Sequence, residues 1–97
     1  MRLRAKTDAN HAQIVKDLRA MGYSVLDLSR LGRGCPDLLV GSRMFNFLFE
    51  LKDGKKCPSA RKLSHDEVKF FAGWRGQAHI VETAEQAAAV IEGMFHG

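Results

Sequence analysis

The stretch Gly34-Cys35-Pro36-Asp37-Leu38-Leu39-Val40-Gly41, followed by Asn46-Phe47-Leu48-Phe49-Glu50-Leu51-Lys52, decides how this chain folds. Strands run for 3–10 residues and alternate their side chains between two faces. Residues 37–41 read as one short strand and 46–52 as the next. Ser42-Arg43-Met44 lies between them near the tip of a hairpin, with Gly41 at its entrance. Glu50 and Lys52 are two residues apart and share a face with Leu48, while Phe47, Phe49 and Leu51 take the other. Antiparallel pairing then returns Asp37 to the side of Glu50 and Lys52.

Charges at the end of two apolar strands are costly unless paired or bound to a metal. Two readings follow. Asp37, Glu50 and Lys52 form a solvated salt-bridge cluster, or they serve a divalent cation. Mg²⁺ prefers oxygen ligands and is usually held by one or two carboxylates, water and substrate phosphate. Asp37, Glu50 and the main-chain carbonyl of Leu51 are suited to that. Lys52 is suited to orienting an attacking water or offsetting charge on phosphoryl oxygens.

Pro36-Asp37 with Glu50-Leu51-Lys52 resembles the PD-(D/E)XK nuclease signature. The wider strings Gly34–Gly41, Phe49-Glu50-Leu51-Lys52-Asp53-Gly54 and Lys62-Leu63-Ser64-His65-Asp66-Glu67 are similar to the VRR-NUC domain, in its small stand-alone phage and bacterial members. The likeness runs from about Asp8 to about Ile91. It implies a restriction-endonuclease-like α/β core and a Mg²⁺- or Mn²⁺-dependent DNA endonuclease. It also implies structure-selective cutting, notably of four-way Holliday junctions, by a homodimer. Asp37, Glu50 and Leu51 are then the metal-binding residues and Lys52 the catalytic lysine. Glu67 stands where the family usually has Gln close to the active site, and so becomes a candidate supporting carboxylate. The family's first helix usually carries a further glutamate, whereas Asn10-His11-Ala12-Gln13 has none. Asn10 and His11 are read either as assisting through water or phosphate, or as a solvent-facing first turn.

Composition bounds the rest. At 97 residues the chain is one domain with a modest core. Its formal charge is +4, which permits a polyanionic partner without demanding one. No apolar run is long enough to span a membrane, and the charged start has no secretory core segment. A cytoplasmic protein with Cys35 and Cys57 reduced is expected, without a zinc pattern.

Residues 1–7, with Arg2, Arg4 and Lys6, read as a loose basic arm. Asp8 is expected to cap a helix to about Met21, with Ile14, Val15, Leu18 and Met21 buried and Gly22 as its left-handed stop. Tyr23–Ser29 reads as the first strand. The loop from Arg30 to Gly34 offers Arg30 and Arg33 to phosphate, and the loop after Lys52 offers Lys55, Lys56, Arg61 and Lys62. Ser64 and Glu67 are spaced as a capping box for a helix to about Trp74. In that helix Val68, Phe71 and Ala72 are expected to be buried; Phe70 and Trp74 either extend the stripe or stay exposed for self-association or base contact. Residues 78–81 read as a strand parallel to 46–52, reached by a right-handed crossover. A last helix, capped by Thr83 and Gln86, runs to about Phe95 and frays near Gly93. The predicted order is αβββαβα, with a mixed four-stranded sheet flanked by helices.

Overall fold

The computed structural model describes residues 9–96; the expected basic arm and the Asp8 cap lie outside them. The elements are α1 (His11–Ala20), β1 (Ser24–Asp27), β2 (Leu38–Ser42), β3 (Phe45–Leu51), α2 (His65–Gly73), β4 (Ala78–Val81) and α3 (Ala84–His96), with a single 3-10 turn over Pro58–Arg61. The strands form one sheet in the order β1-β2-β3-β4. The first three are antiparallel neighbours, and β4 joins β3 in parallel. This is an α/β domain with a mixed four-stranded sheet flanked by helices.

The alternation of β2 and β3 divides the sheet into two unlike faces. Leu38, Val40, Phe47, Phe49 and Leu51 point to one side and join Ile14, Val15 and Leu18 of α1 with Ala84, Ala87 and Ile91 of α3. Burial of these side chains is the main stabilising term of the fold. Leu39, Leu48 and Glu50 point to the opposite side, with Ala78 and Ile80 beside the last two in register.

Local signals act where the sequence places them. At the end of α1, Gly22 is left-handed (φ +98°), Gly22 N–H donates to the Arg19 carbonyl at 3.0 Å and Tyr23 N–H to that of Leu18 at 3.2 Å. These two bonds are the Schellman arrangement, which satisfies carbonyls the helix leaves free. The hairpin differs in detail from expectation. Ser42 pairs with Phe45, so Gly41 lies inside the ladder opposite Asn46, and Arg43 and Met44 alone make the turn. Both have positive φ, 51° and 74°, the two-residue geometry that suits strand twist. Neither is a Gly or Asn. Tertiary contacts hold Arg43 there: its guanidinium donates to Glu92 at 3.1 Å and sits 4.4 Å from the centre of the Phe95 ring.

Three other expectations need correction. Helix α1 begins at His11 behind Asn10, whose side chain does not cap it. Helix α3 reaches its expected end, at His96, but without the fraying expected of its tail, because Glu92 and Phe95 anchor its last turn to Arg43, Tyr23 and Phe45. Most consequentially, α2 contributes no buried residue. Val68 is 50% exposed, Ala72 is also exposed and Phe71 only half-buried. The helix is held by its first turn, as described below.

A contrast between two truncations tests this division of the fold. Leu18→Ala is expected to destabilise by about 2–5 kcal/mol in urea unfolding, and Val68→Ala by no more than about 0.5 kcal/mol.

Candidate active site at the β2–β3 end

Asp37 stands just before β2. The Leu38–Phe49 pairing places it opposite Glu50. Its Oδ2 accepts a hydrogen bond from the Leu51 amide at 2.8 Å, which fixes the carboxylate to the end of β3. On the other side its carbonyl accepts from Leu28 N–H at 2.7 Å. Glu50 is 4% exposed, and its Oε1 is buried without a hydrogen-bond partner. Lys52 follows β3, its amide donating to the Val81 carbonyl at 3.0 Å. Its Nζ lies 3.5 Å from Glu50 Oε2 and 3.0 Å from Glu67 Oε1.

Glu67 reaches this cluster because of the capping box. Ser64 Oγ accepts from Glu67 N–H at 3.2 Å, and Glu67 Oε1 accepts from Ser64 N–H at 2.8 Å. The same carboxylate oxygen that closes the box therefore holds Lys52. The first turn of α2 also lies against Gly34, where φ is +81° and an added Cβ would collide with the Asp66 carbonyl and approach Glu67 N to 2.9 Å. Only glycine combines that backbone geometry with so close an approach.

A cavity of about 280 Å³ opens among these groups, lined by Asp37, Glu50, Leu51, Lys52 and Glu67 and by Ser29, Arg33 and Cys35 of the preceding loop. The carboxylates in it behave differently. Burial, then the charge of Asp37, then the hydrogen bond and charge of Glu67 push Glu50 from the ordinary 4.5 to about 9. Burial also raises Asp37, against the opposing Leu51 amide and the nearby His11 ring. Partial burial works to raise Glu67, but the Ser64 amide, Lys52 and a hydrogen bond with Glu50 outweigh it and hold the group below its usual range. Burial disfavours the charge on Lys52, yet the Glu67 hydrogen bond and the charges of Glu67 and Glu50 more than reverse this and raise its pKa. Near neutral pH the cavity thus holds an ammonium, an ionised Glu67 and a Glu50 that keeps its proton. Burial and the charges of Asp37 and Glu50 push the Cys35 thiol up, so it is not a thiolate.

Among the described residues no three His, Cys, Asp or Glu side chains are grouped to hold a metal ion. Two oxygen donors remain suited to a hard cation: Asp37 and the unsatisfied Oε1 of Glu50. One or two carboxylates, completed by water and phosphate, are what Mg²⁺ ordinarily takes from a protein. The residues present fit such an ion.

At the start of α1, Asn10 and His11 face inward, while Ala12 and Gln13 are exposed. Asn10 Nδ2 donates to the carbonyls of Glu82 at 3.0 Å and Lys52 at 3.3 Å, bridging α1 to the ends of β3 and β4. His11 is buried, its Nε2 2.9 Å from Asp27 Oδ2, while Asp27 Oδ1 accepts from the amide and hydroxyl of Ser29. Neither residue lines the cavity. Asn10 is the positional element that sequence reasoning missed, because its partners lie 42 and 72 residues away.

The expected basic rim divides. Arg33 lines the cavity, and Arg30, Lys55, Lys56 and Lys62 are exposed on the flanking loops. Arg61 is instead half-buried and paired with Glu82 at 3.2 Å. It anchors the loop to the junction of β4 and α3 and is not presented to a ligand. Cys35 and Cys57 are free, as expected. No helix among the described residues is long and apolar enough to cross a membrane.

Comparison of the chain with models of known families, with curated proteins and with solved structures finds no match.

The raised Glu50 gives a test with a definite sign. Below about pH 4.5 Glu50 is protonated in both folded and unfolded chains; between 4.5 and about 9 only the folded chain keeps the proton. The stability this group contributes is therefore full at low pH, falls across that window and is gone above it. Glu50→Gln keeps the neutral shape and removes the loss. At pH 8 it is expected to stabilise by about 1 kcal/mol or more, ~4–8 °C in melting temperature for a chain of this size, with little effect at pH 4. Thermal unfolding at the two pH values measures the difference.

Proposed function

We propose that this protein is a divalent-metal-dependent DNA endonuclease. One observation carries the reading: Asp37, Glu50 and Lys52 meet at the end of a β-hairpin and line one polar cavity, and Glu50 keeps a buried carboxylate oxygen without a hydrogen-bond partner. The PD-(D/E)XK resemblance supplies the family, and the αβββαβα order is similar to the restriction-endonuclease-like core. In this reading Asp37, Glu50 and the Leu51 carbonyl hold Mg²⁺ or Mn²⁺. When bound, such an ion stabilises charge on the phosphoryl oxygens and eases deprotonation of water. Lys52 orients the attacking water or offsets charge on the phosphoryl oxygens, and Glu67 sets the position of its ammonium. Water adds to phosphorus, the P–O3′ bond breaks, and the proton passes to O3′, leaving a 5′-phosphate. Arg30, Arg33, Lys55, Lys56 and Lys62 contact the DNA backbone. The resemblance further implies branched DNA, notably four-way junctions, as substrate, a homodimer whose paired sites make two symmetric nicks, and a cytoplasmic location.

A second reading is favoured by the first turn of α1. It supplies no carboxylate to the cavity, and its His11 is committed to Asp27. A site with only two such ligands suits a DNA-binding module with weak or no catalysis.

Labelled four-way junction, flap, fork, duplex and single-stranded DNA, each with Mg²⁺, Mn²⁺ or EDTA, separate the two. The nuclease reading expects ion-dependent nicks that fall by about 10²-fold or more in Lys52→Ala and in Asp37→Asn, whose amide oxygen still accepts from Leu51. Cleavage that persists in Lys52→Ala, or none with either ion, defeats it. Salt-sensitive binding that survives Asp37→Asn without any cleavage establishes the module instead.

A further inference from the structure

Helix α2 starts at the candidate active site and ends on a stacked pair of aromatic rings, Phe70 half-buried and Trp74 exposed. Phe70 and Trp74, one turn apart, stack with centroids 5.1 Å apart and planes 17° from parallel. Phe71 meets Phe70 edge-on, at 6.0 Å between centroids and 73° between planes. Phe70 covers one face of the indole, yet Trp74 remains 48% exposed. A buried core does not account for these rings, since no residue of α2 is buried. A half-exposed indole backed by a second ring offers a flat apolar face on which another π-system can stack.

The charges around the rings select the partner. From Gly54 to Val81 the chain carries Lys55, Lys56, Lys62, Lys69 and Arg75, besides an Arg61 already paired with Glu82, against Asp66 and Glu67 as the acids of that segment. Glu67 is committed to Lys52. Lys69 and Arg75, which bracket the stacked pair in sequence, are both exposed. A second copy of the chain docked symmetrically on this face would bring those cations towards one another, and like-charge juxtaposition disfavours such a contact. A phosphate backbone complements them.

We propose that the Phe70–Trp74 stack is a platform for an unpaired base, so that the protein prefers DNA with unstacked or single-stranded nucleotides beside the scissile position. The proposal rests on the nucleic-acid part of the reading above. Trp74 lies seven residues beyond Glu67 along α2, about 10 Å at 1.5 Å per residue. A base on the platform is therefore one or two nucleotide steps from the cavity. Every base presents a π-face, so the preference is for the unpaired state and not for base identity. In intact duplex the bases stack on one another and the platform is left unused.

Trp74 is the only tryptophan of the chain, so its emission reports on the platform alone. The full-length protein is titrated in EDTA, without cleavage, with oligothymidylate, with duplex DNA and with heparin, while anisotropy of labelled DNA measures binding independently. Oligothymidylate is expected to quench the emission along its own binding curve; duplex and heparin bind with little quenching. Trp74→Ala is expected to lose about tenfold in single-strand affinity and Trp74→Phe much less, with duplex affinity changed by less than about twofold. The exposure of Trp74 leaves both variants folded, which far-UV circular dichroism verifies. Unchanged emission with bound single strand, or Trp74→Ala binding it like the native protein, overturns the platform. An emission shift that follows protein concentration without DNA also overturns it and assigns the face to self-association. Binding and quenching without cleavage under any ion overturns the nuclease reading alone, and cleavage of branched DNA unaffected by Trp74→Ala overturns the platform alone. Absence of all DNA binding removes both.

Discussion

The hydrogen bond from the Leu51 amide to Asp37 Oδ2, at 2.8 Å, ties the two strands of the central hairpin together at the point where their charged residues meet. A one-residue slip in β-pairing would exchange the two faces of a strand. Here it would send Phe47, Phe49 and Leu51 away from the core and Glu50 into it. The register that buries the aromatic face is thus the one that places Glu50 beside Asp37 on the opposite face. Core and site are specified by the same alternation.

Everything near Glu50 answers the cost of burying a carboxylate. A charge so enclosed is unfavourable unless it is paired, neutralised or bound to an ion. Lys52 supplies part of the compensation and a retained proton the rest, which leaves Oε1 still without a partner. Helix α2 is drawn into this balance through Glu67, whose single oxygen serves the helix cap and the lysine together. The helix is consequently docked by polar contacts at one end, while Trp74 at the other end stays exposed. Asn10 plays the matching part from α1, holding the Lys52 carbonyl while Lys52 directs its ammonium at Glu67.

Local patterns in the sequence carried much of this. Strand alternation foretold the faces of β3, the Ser64–Glu67 spacing foretold the capping box, and Gly22 foretold the end of α1. The meeting of Asp37, Glu50 and Lys52 was legible because hairpin register is local. The features that were not legible depend on long-range contacts. An apolar pattern in α2 reads as a buried stripe, but burial needs an opposing surface, and pattern alone does not say whether one exists. Arg61 reads as a phosphate-binding cation until Glu82, 21 residues away, is seen to hold it. Arg43 and Met44 occupy a turn that propensity would give to Gly or Asn, because Glu92 and Phe95 hold the arginine in place. Gly93 reads as a point of fraying for the same kind of reason, until the neighbouring contacts of Glu92 and Phe95 are known.

In the proposed function Glu50, a buried carboxyl that keeps its proton, becomes a ligand once a divalent cation binds. The titration of its carboxyl carbon, followed by NMR with and without Mg²⁺, tests this most directly. The metal-free protein should titrate there near pH 9, far above the ordinary 4.5, and Mg²⁺ should bring the transition below neutrality while releasing a proton. A Glu50 that titrates like an exposed glutamate and does not respond to Mg²⁺ or Mn²⁺ would contradict the account.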